Sequence, residues 1–182
     1  MTDLTGKTIA FLSTDGYEDS ELSSPWDAVR RAGARAVLVA PKDGRIEGKN
    51  GHLQDVDVRA ADADATDYDA LVLPGGVVNA DHLRMDADAV AFAKDVFVQH
   101  KPVGAICHAA WTLVEAGVVA GRTLTSYPSL RTDLVNAGAT WVDEEVVVDD
   151  GLVSSRTPED LPAFNAKVIG EVAEGRHDGQ TA

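Results

Sequence analysis

Short apolar runs alternate along the chain with segments in which apolar residues recur at helical spacing. Residues 7–13 (KTIAFLS) form the first run, bounded by polar residues as a buried parallel strand is. Apolar residues then recur with a helical period from Leu22 to Ala32, and Gly33 supplies a stop. The opening of the chain therefore predicts a strand followed by a helix.

The same alternation continues to the end of the chain. Further strands are predicted at 36–40, 52–58, 70–74, 102–106, 123–125, 140–148 and 152–155. Helices are predicted at about 86–100, 108–117, 128–137 and from Thr157, as cap, to about Glu174, with residues 42–51 as a hairpin or loop insertion. This order predicts an α/β fold: a doubly wound, mostly parallel sheet with helices on both faces. We expect a single domain over residues 1–175 and a disordered tail at 176–182.

Composition and charge exclude several classes of function. The 182 residues carry a formal net charge of −14, which repels a phosphate backbone and argues against nucleic-acid binding. No apolar run is long enough to cross a bilayer, and the N-terminus lacks the apolar core of a signal peptide. One cysteine cannot form an intramolecular disulfide. We therefore expect a cytoplasmic protein that needs no membrane partner.

Cys107 lies between an apolar strand and a predicted helix, where a nucleophile elbow would present its side chain above the sheet. In an open α/β sheet, ligands bind at the carboxyl ends of the strands, where Cys107 falls. A helix N-terminus favours an anion, so this position predicts a lowered thiol pKa. The alternative is a buried, inert cysteine.

Three neighbouring features are further candidates for the site. The backbone N–H of His108 follows the nucleophile and is a natural oxyanion donor, and Gly75 and Gly76 can bring backbone N–H groups close to a substrate. Glu18 follows the first strand, and if buried it would be protonated and could donate a hydrogen bond to a thiolate. The alternatives are a capping histidine, a plain tight turn and an ordinary first-turn acid.

Metal and phosphate sites find no support in the sequence. One cysteine and scattered histidines lack the usual ligand spacing, and no glycine-rich phosphate loop occurs. We therefore expect no cofactor and no metal site.

Four segments resemble the PfpI peptidase/deglycase family in order and spacing, over roughly residues 6–172. They are DGYEDSEL (15–22), LVLPGG (71–76), AICHAA (105–110) and SRTPEDLPAF (155–164), and residues 133–144 are similar to the general stress protein branch. The resemblance implies a flavodoxin-like sandwich related to class I glutamine amidotransferase domains. It implies Cys107 as nucleophile, Glu18 as its hydrogen-bonding acid and His108 as the adjacent histidine. It also implies a homodimer or larger homo-oligomer with the site near a subunit interface.

One departure from the family pattern bears on the reaction. Some family peptidases take a glutamate from a neighbouring subunit four residues after Pro-Gly-Gly, where this chain has Ala80. Asp81 is next to it and is a candidate interface or accessory acid, but its side chain is shorter and shifted. Two hypotheses stay open: a cysteine-dependent hydrolase or lyase acting on small carbonyl adducts or peptides, and a non-enzymatic redox sensor or protective stress protein.

Overall fold

The computed structural model describes residues 2–180. Its strands are β1 Thr8–Leu12, β2 Arg35–Ala40, β3 Arg45–Glu47, β4 Leu53–Asp55, β5 Val58–Arg59, β6 Ala70–Leu73, β7 Val103–Ile106, β8 Thr123–Leu124, β9 Thr140–Trp141, β10 Val146–Asp149 and β11 Leu152–Ser155. Its α-helices are α1 Asp19–Arg31, α2 Val77–Met85, α3 Ala87–Val98, α4 Ala110–Ala116, α5 Arg131–Asn136 and α6 Leu161–Glu174.

The main sheet has the strand order β10-β11-β7-β6-β1-β2-β5. Strand β10 runs antiparallel to β11, and the other neighbouring strands run parallel. Short strands outside it pair as β3 with β4 and as β8 with β9. The predicted doubly wound, mostly parallel sheet is confirmed.

Each face of the sheet carries its own apolar core because successive side chains of a strand point to opposite faces. On β1, Ile9 and Phe11 belong to the core under α1 and α6, whereas Ala10 and Leu12 belong to the core under α3 and α4. The strands at the centre of the sheet are therefore buried on both sides, as their continuous apolar runs indicate. This leaves the loops at the carboxyl ends of β1, β6 and β7 as neighbours at one edge.

Several elements differ from the sequence-based prediction. Helix α2 was not predicted, and it follows the Pro-Gly-Gly turn directly. The strand predicted at 140–148 is divided into β9 and β10 by residues 142–145, which include three acids. The hairpin extends beyond the predicted 42–51, because β3 pairs with β4 in the segment predicted as a strand at 52–58, and β5 joins the end of that segment to β2. The final helix begins at Leu161 after a 3₁₀ turn in which Thr157 makes no side-chain cap bond.

The end of the chain folds back onto the body of the protein. The N–H of His177 donates to the carbonyl oxygen of His100 at 2.8 Å, and Gln180 is buried. The tail expected at 176–182 stays a prediction, and its residues 181 and 182 lie outside the described range. Between residues 2 and 180, the structure contains no helix with the length and apolar character needed to span a membrane.

Candidate active site

Cys107 occupies a strained turn at the end of a central strand. Strand β7 ends at Ile106, Cys107 has φ 63°, and a 3₁₀ turn over Cys107–Ala109 leads into α4. Left-handed backbone at a residue other than glycine costs on the order of 1–3 kcal/mol and tends to mark functional sites. The predicted nucleophile elbow is therefore present, and the thiol is presented at the carboxyl edge of the sheet.

Glu21, on the first turns of α1, is the carboxyl group that meets the thiol. Its side chain is fully buried, and its Oε2 accepts a hydrogen bond from the N–H of Gly75 at 2.8 Å. The Cys107 thiol is close enough to influence its pKa, and Oε1 has no hydrogen-bond partner within residues 2–180. Burial raises the pKa of Glu21 to about 8, so this carboxyl carries its proton at neutral pH.

Glu18 does not make the contact with sulfur that the sequence predicts for it. It caps the start of α1, its side chain is 14% exposed, and its carboxylate forms an ion pair with Lys49 at the wall of the same cavity. The predicted acid was therefore misplaced by about one helical turn. Glu18 and Glu21 are three residues apart, and only Glu21 points into the protein. Glu18 remains close enough for its charge to help raise the pKa of Glu21.

The thiol pKa also differs from the sequence-based expectation. Burial raises the pKa of Cys107, and an ionised Glu21 would raise it further, whereas the N–H groups of Gly76 and His108 lower it. A helix start alone predicts the opposite direction, but the helix here begins only after a 3₁₀ turn. While Glu21 holds its proton, the repulsion is absent and the carboxyl O–H is a further donor to the sulfur.

His108 lies against the thiol. Its Nδ1 is 3.2 Å from Sγ of Cys107, and its Nε2 is 3.4 Å from the Ser129 hydroxyl. The ring stacks on Tyr127 with centroids 4.6 Å apart. Burial lowers the pKa of His108, with the Lys49 charge adding to this, so the ring is neutral at pH 7. With its proton on Nε2, the ring can accept the thiol hydrogen at Nδ1.

The two glycines have different roles. The N–H of Gly75 is already used by Glu21, so it is not the free oxyanion donor that the sequence predicts. The N–H of Gly76 faces the sulfur, at a backbone φ of 95° that favours glycine. A Cβ at Gly76 would lie 2.5 Å from the carbonyl oxygen of Gly16, so the close approach of these two loops requires glycine.

Asn79, on the unpredicted helix α2, fastens these loops to each other. It is fully buried; its Nδ2 donates to the carbonyl oxygens of Pro74 and Gly75, and its Oδ1 accepts from the N–H of Thr14 at 2.7 Å. A buried amide with this many partners costs free energy to disturb. The turn that holds Gly76 is thereby locked to the loop after β1.

A cavity of about 510 Å³ opens over the thiol. Glu18, Lys49 and His108 supply its polar wall, and the apolar lining comes from Val77, Val78, Tyr127 and Pro158. Cys107 and Glu21 contribute to the same lining. A cavity of this size suits a small molecule or a single modified side chain.

The remaining candidates lie elsewhere. Asp81 is on the exposed surface of α2, outside the lining of this cavity. His52 bonds the Tyr17 hydroxyl, His82 is exposed, and His100 contacts the carbonyl oxygen of Gln180.

Sequence reasoning missed Glu21, Lys49, Asn79 and Tyr127. A signal for Glu21 exists: Glu21, Pro25 and Ala28 are spaced as one helical stripe, and all three are buried. The others have no local signal because distant loops bring them to the site.

Comparisons with known proteins agree with the fold and the motifs. The family model described as the DJ-1/PfpI family matches residues 7–171. The chain is 44% identical over 166 residues to Protein/nucleic acid deglycase 2 of Escherichia coli, covering 90% of this chain and 96% of that protein. General stress protein 18 of Bacillus subtilis is also 44% identical over 167 residues, with the same coverage. A two-domain DJ-1/ThiJ/PfpI-like and ferritin-like protein from Anabaena variabilis superposes with a TM-score of 0.89 at 32% identity, covering 91% of this chain and 48% of that one.

Proposed function

The chain belongs to the DJ-1/PfpI family, and from this premise we propose that it is a cysteine-dependent enzyme that removes small carbonyl adducts of the glyoxal type. The observation that carries the proposal is Cys107, held in left-handed backbone against the protonated carboxyl of Glu21 at the base of an open cavity. The names of the relatives, a deglycase and a general stress protein, favour the same class of activity.

The first step uses groups that already surround the sulfur. The thiol proton passes to Nδ1 of His108, 3.2 Å away, and the sulfur attacks the carbonyl carbon of the adduct. A carbon–sulfur bond forms while the carbonyl electron pair moves to oxygen. The N–H groups of Gly76 and His108, now directed at the sulfur, are placed to stabilise that oxyanion.

The overall reaction consumes one water. A hemiaminal of a glyoxal and an amine, with water, yields the free amine and a 2-hydroxy acid. One carbon of the dicarbonyl unit is oxidised to the carboxyl level and its neighbour is reduced to an alcohol, so the reaction needs no external oxidant or reductant. This balance is compatible with a site built from side chains and backbone alone.

Peptide cleavage has less support. It requires a base that is held in place and can also protonate the leaving amine. Ala80 stands where some family peptidases have glutamate, and the nearby Asp81 is exposed on α2. Within residues 2–180, the partner of His108 Nε2 is the Ser129 hydroxyl and not a carboxylate.

A redox role is the second candidate, favoured by one observation. Glu21 Oε1 is buried without a hydrogen-bond partner in residues 2–180, and Glu21 lines the same cavity as Cys107, so a protonated Glu21 could donate to an oxygen added to Cys107. Such a hydrogen bond would stabilise an oxidised sulfur. In this role the thiol would respond to peroxide without turning over a carbonyl substrate.

A turnover panel separates the two candidates. Methylglyoxal adducts of N-acetyl-lysine and N-acetylcysteine, free methylglyoxal and a casein peptide are incubated with the wild-type chain, Cys107→Ala and the control His82→Ala. We expect lactate formation, followed by NMR, in the wild-type and His82→Ala chains and its loss by at least about 10³-fold in Cys107→Ala. Equal lactate yields with and without the thiol would refute the enzymatic proposal.

Self-association and location belong to the same proposal. Val77, Val78 and Met85 of α2 are exposed, at 52%, 51% and 71%, on a helix whose first residues also line the cavity. This apolar surface supports a homo-oligomer with the site near the interface. A cytoplasmic location remains our prediction, supported by the need to keep a single reactive thiol reduced.

A further inference from the structure

The last helix ends in a turn that brings the chain back on itself. Helix α6 ends at Glu174, and Gly175 has φ 92° and ψ −137°, a conformation favourable only for glycine. The N–H of His177 then donates to the carbonyl oxygen of His100, and the ring of His100 contacts the carbonyl oxygen of Gln180 at 2.6 Å. Residues 175–180 therefore dock at the start of β7, at the end of the sheet opposite Cys107.

This turn assembles three metal-ligating side chains. Glu171 and Glu174 are three residues apart on α6 and share one face of the helix. His177 lies over them, with its Nε2 3.2 Å from Oε2 of Glu171. One donor atom from each of the three residues lies within 4.8 Å of the others. The sequence alone does not single out this group, because Gly175 ends the helix between the acids and the histidine.

The histidine nitrogen in this cluster lacks a hydrogen bond. Nε2 of His177 is a buried atom that lies 3.2 Å from Oε2 of Glu171 but makes no hydrogen bond of acceptable geometry among residues 2–180, and the side chains of His177 and Glu171 are only 15% and 13% exposed. The ring cannot turn away easily, because it packs against Gly151, where an added Cβ would lie 2.7 Å from Cδ2 of the ring. A buried polar atom without a partner costs roughly 1–3 kcal/mol.

We propose that Glu171, Glu174 and His177 bind a divalent transition-metal ion of the Zn²⁺ class. Imidazole and carboxylate are ligands that Zn²⁺ accepts, at about 2.0–2.2 Å, and a tetrahedral angle then places two ligand atoms about 3.3 Å apart. The 3.2 Å between the imidazole nitrogen and the Glu171 oxygen matches this spacing. The exposed Glu174 is free to move its carboxylate the remaining distance, and water would fill the fourth position.

Charge at the cluster favours the same occupant. Glu171 and Glu174 bring two like charges together on one face of α6, where they repel each other. A divalent cation would remove this conflict by neutralising both carboxylates at once. Because one ligand follows the helix and two lie on it, the ion would also clamp residues 175–180 to α6.

Calorimetry with ZnCl₂ tests the site directly. The full chain carrying Cys107→Ser is used, so that the thiol cannot bind zinc. We expect one ion per chain, an affinity at least about tenfold weaker in His177→Gln and Glu174→Gln, and no change in the control His82→Gln. Affinity that is unchanged by both cluster substitutions, or no binding by the parent chain, would overturn the proposal.

Limited proteolysis gives a second readout that does not depend on affinity. Trypsin cleaves after Arg176, which is exposed within the docked turn. We expect ZnCl₂ to slow this cleavage severalfold in the Cys107→Ser chain and to leave it unchanged in Glu174→Gln, whose exposed substitution does not threaten the fold. Equal protection of both chains would show that zinc acts elsewhere, and circular dichroism confirms that each variant is folded.

Discussion

The two ends of the central sheet hold buried carboxyl groups in contrasting ways. At the carboxyl end, Glu21 is fully buried, and it faces one backbone N–H and a thiol. At the amino end, Glu171 is 13% exposed and faces an imidazole. Burial raises the pKa of both groups; the Lys49 charge opposes this at Glu21, and the His177 imidazole opposes it at Glu171.

The backbone differs between these ends as well. The site at the carboxyl end depends on loops in which Gly76 and Cys107 have positive φ and approach other backbone closely. The cluster at the amino end depends on a single turn at Gly175, around which a Cβ would meet no atom within 4 Å. We infer that close backbone contacts hold Glu21 in the buried position that keeps it protonated. The less crowded turn at Gly175 lets the surroundings of Glu171 move.

The largest effect that we expect comes from crowding at the carboxyl end. Gly76→Ala should lower the free energy of unfolding by about 3 kcal/mol, because the new Cβ combines positive φ with a 2.5 Å approach to the carbonyl oxygen of Gly16. Urea denaturation measures the loss. A cost below about 1 kcal/mol would mean that the loop yields, and that the frame is not rigid.

The second effect is a pH dependence that belongs to Glu21 alone. Its pKa is about 8 in the folded chain and 4.5 when exposed, so between these values the folded state keeps a proton that the unfolded state has lost. The stability that this group contributes is complete below pH 4.5 and is lost as pH rises toward 8. Between pH 5 and 8, the wild-type chain should lose on the order of 3 kcal/mol relative to Glu21→Gln.

Urea denaturation of both chains at intervals across this range provides the measurement. If the free energy of unfolding changed with pH equally in both chains, Glu21 would be ionised across the whole range. That result would remove the contrast between the two ends of the sheet.

A smaller effect concerns the thiol itself. Above pH 8, where Glu21 ionises beside the sulfur, Glu21→Gln should react with iodoacetamide about fivefold faster than the wild-type chain, because the like charge is gone. Glu18→Gln is the matched comparison, since its carboxylate pairs with Lys49, and its rate should stay within about twofold. A larger effect from Glu18 than from Glu21 would restore the assignment that the sequence first indicates.

The smallest expected effect lies at the amino end. A Cβ at Gly170, within α6, would meet no atom within 4 Å, so Gly170→Ala should stabilise the chain by about 0.5–1 kcal/mol through helix propensity. Thermal denaturation checks the sign. Destabilisation would mean that this face of α6 is covered in solution.

Much of this arrangement follows from local patterns. Cys107 could be predicted because an apolar strand, a single polar turn and a helical stripe stand in immediate succession. The sheet could be predicted because its strands are buried on both faces and read as continuous apolar runs.

What could not be predicted depends on contacts between distant segments. Helix α2 has a weak apolar stripe, and it is positioned by Asn79, whose partners lie in the loops after β1 and β6. Glu21 and Glu18 are both acids near the start of one helix, and only the packing of α1 on the sheet decides which is buried. Lys49 reaches the cavity from the β3–β4 hairpin, whose orientation no local pattern determines.

The order of the strands also governs when the thiol becomes shielded. Strands β1, β6 and β7 are neighbours in the sheet, yet the ribosome makes Glu21 and Gly76 long before Cys107. Until β7 inserts beside β6, a newly synthesised chain carries its cysteine without the acid, the amide donors or the stacked aromatic ring. The residue therefore acquires the surroundings that set its reactivity only after most of the central sheet has been made.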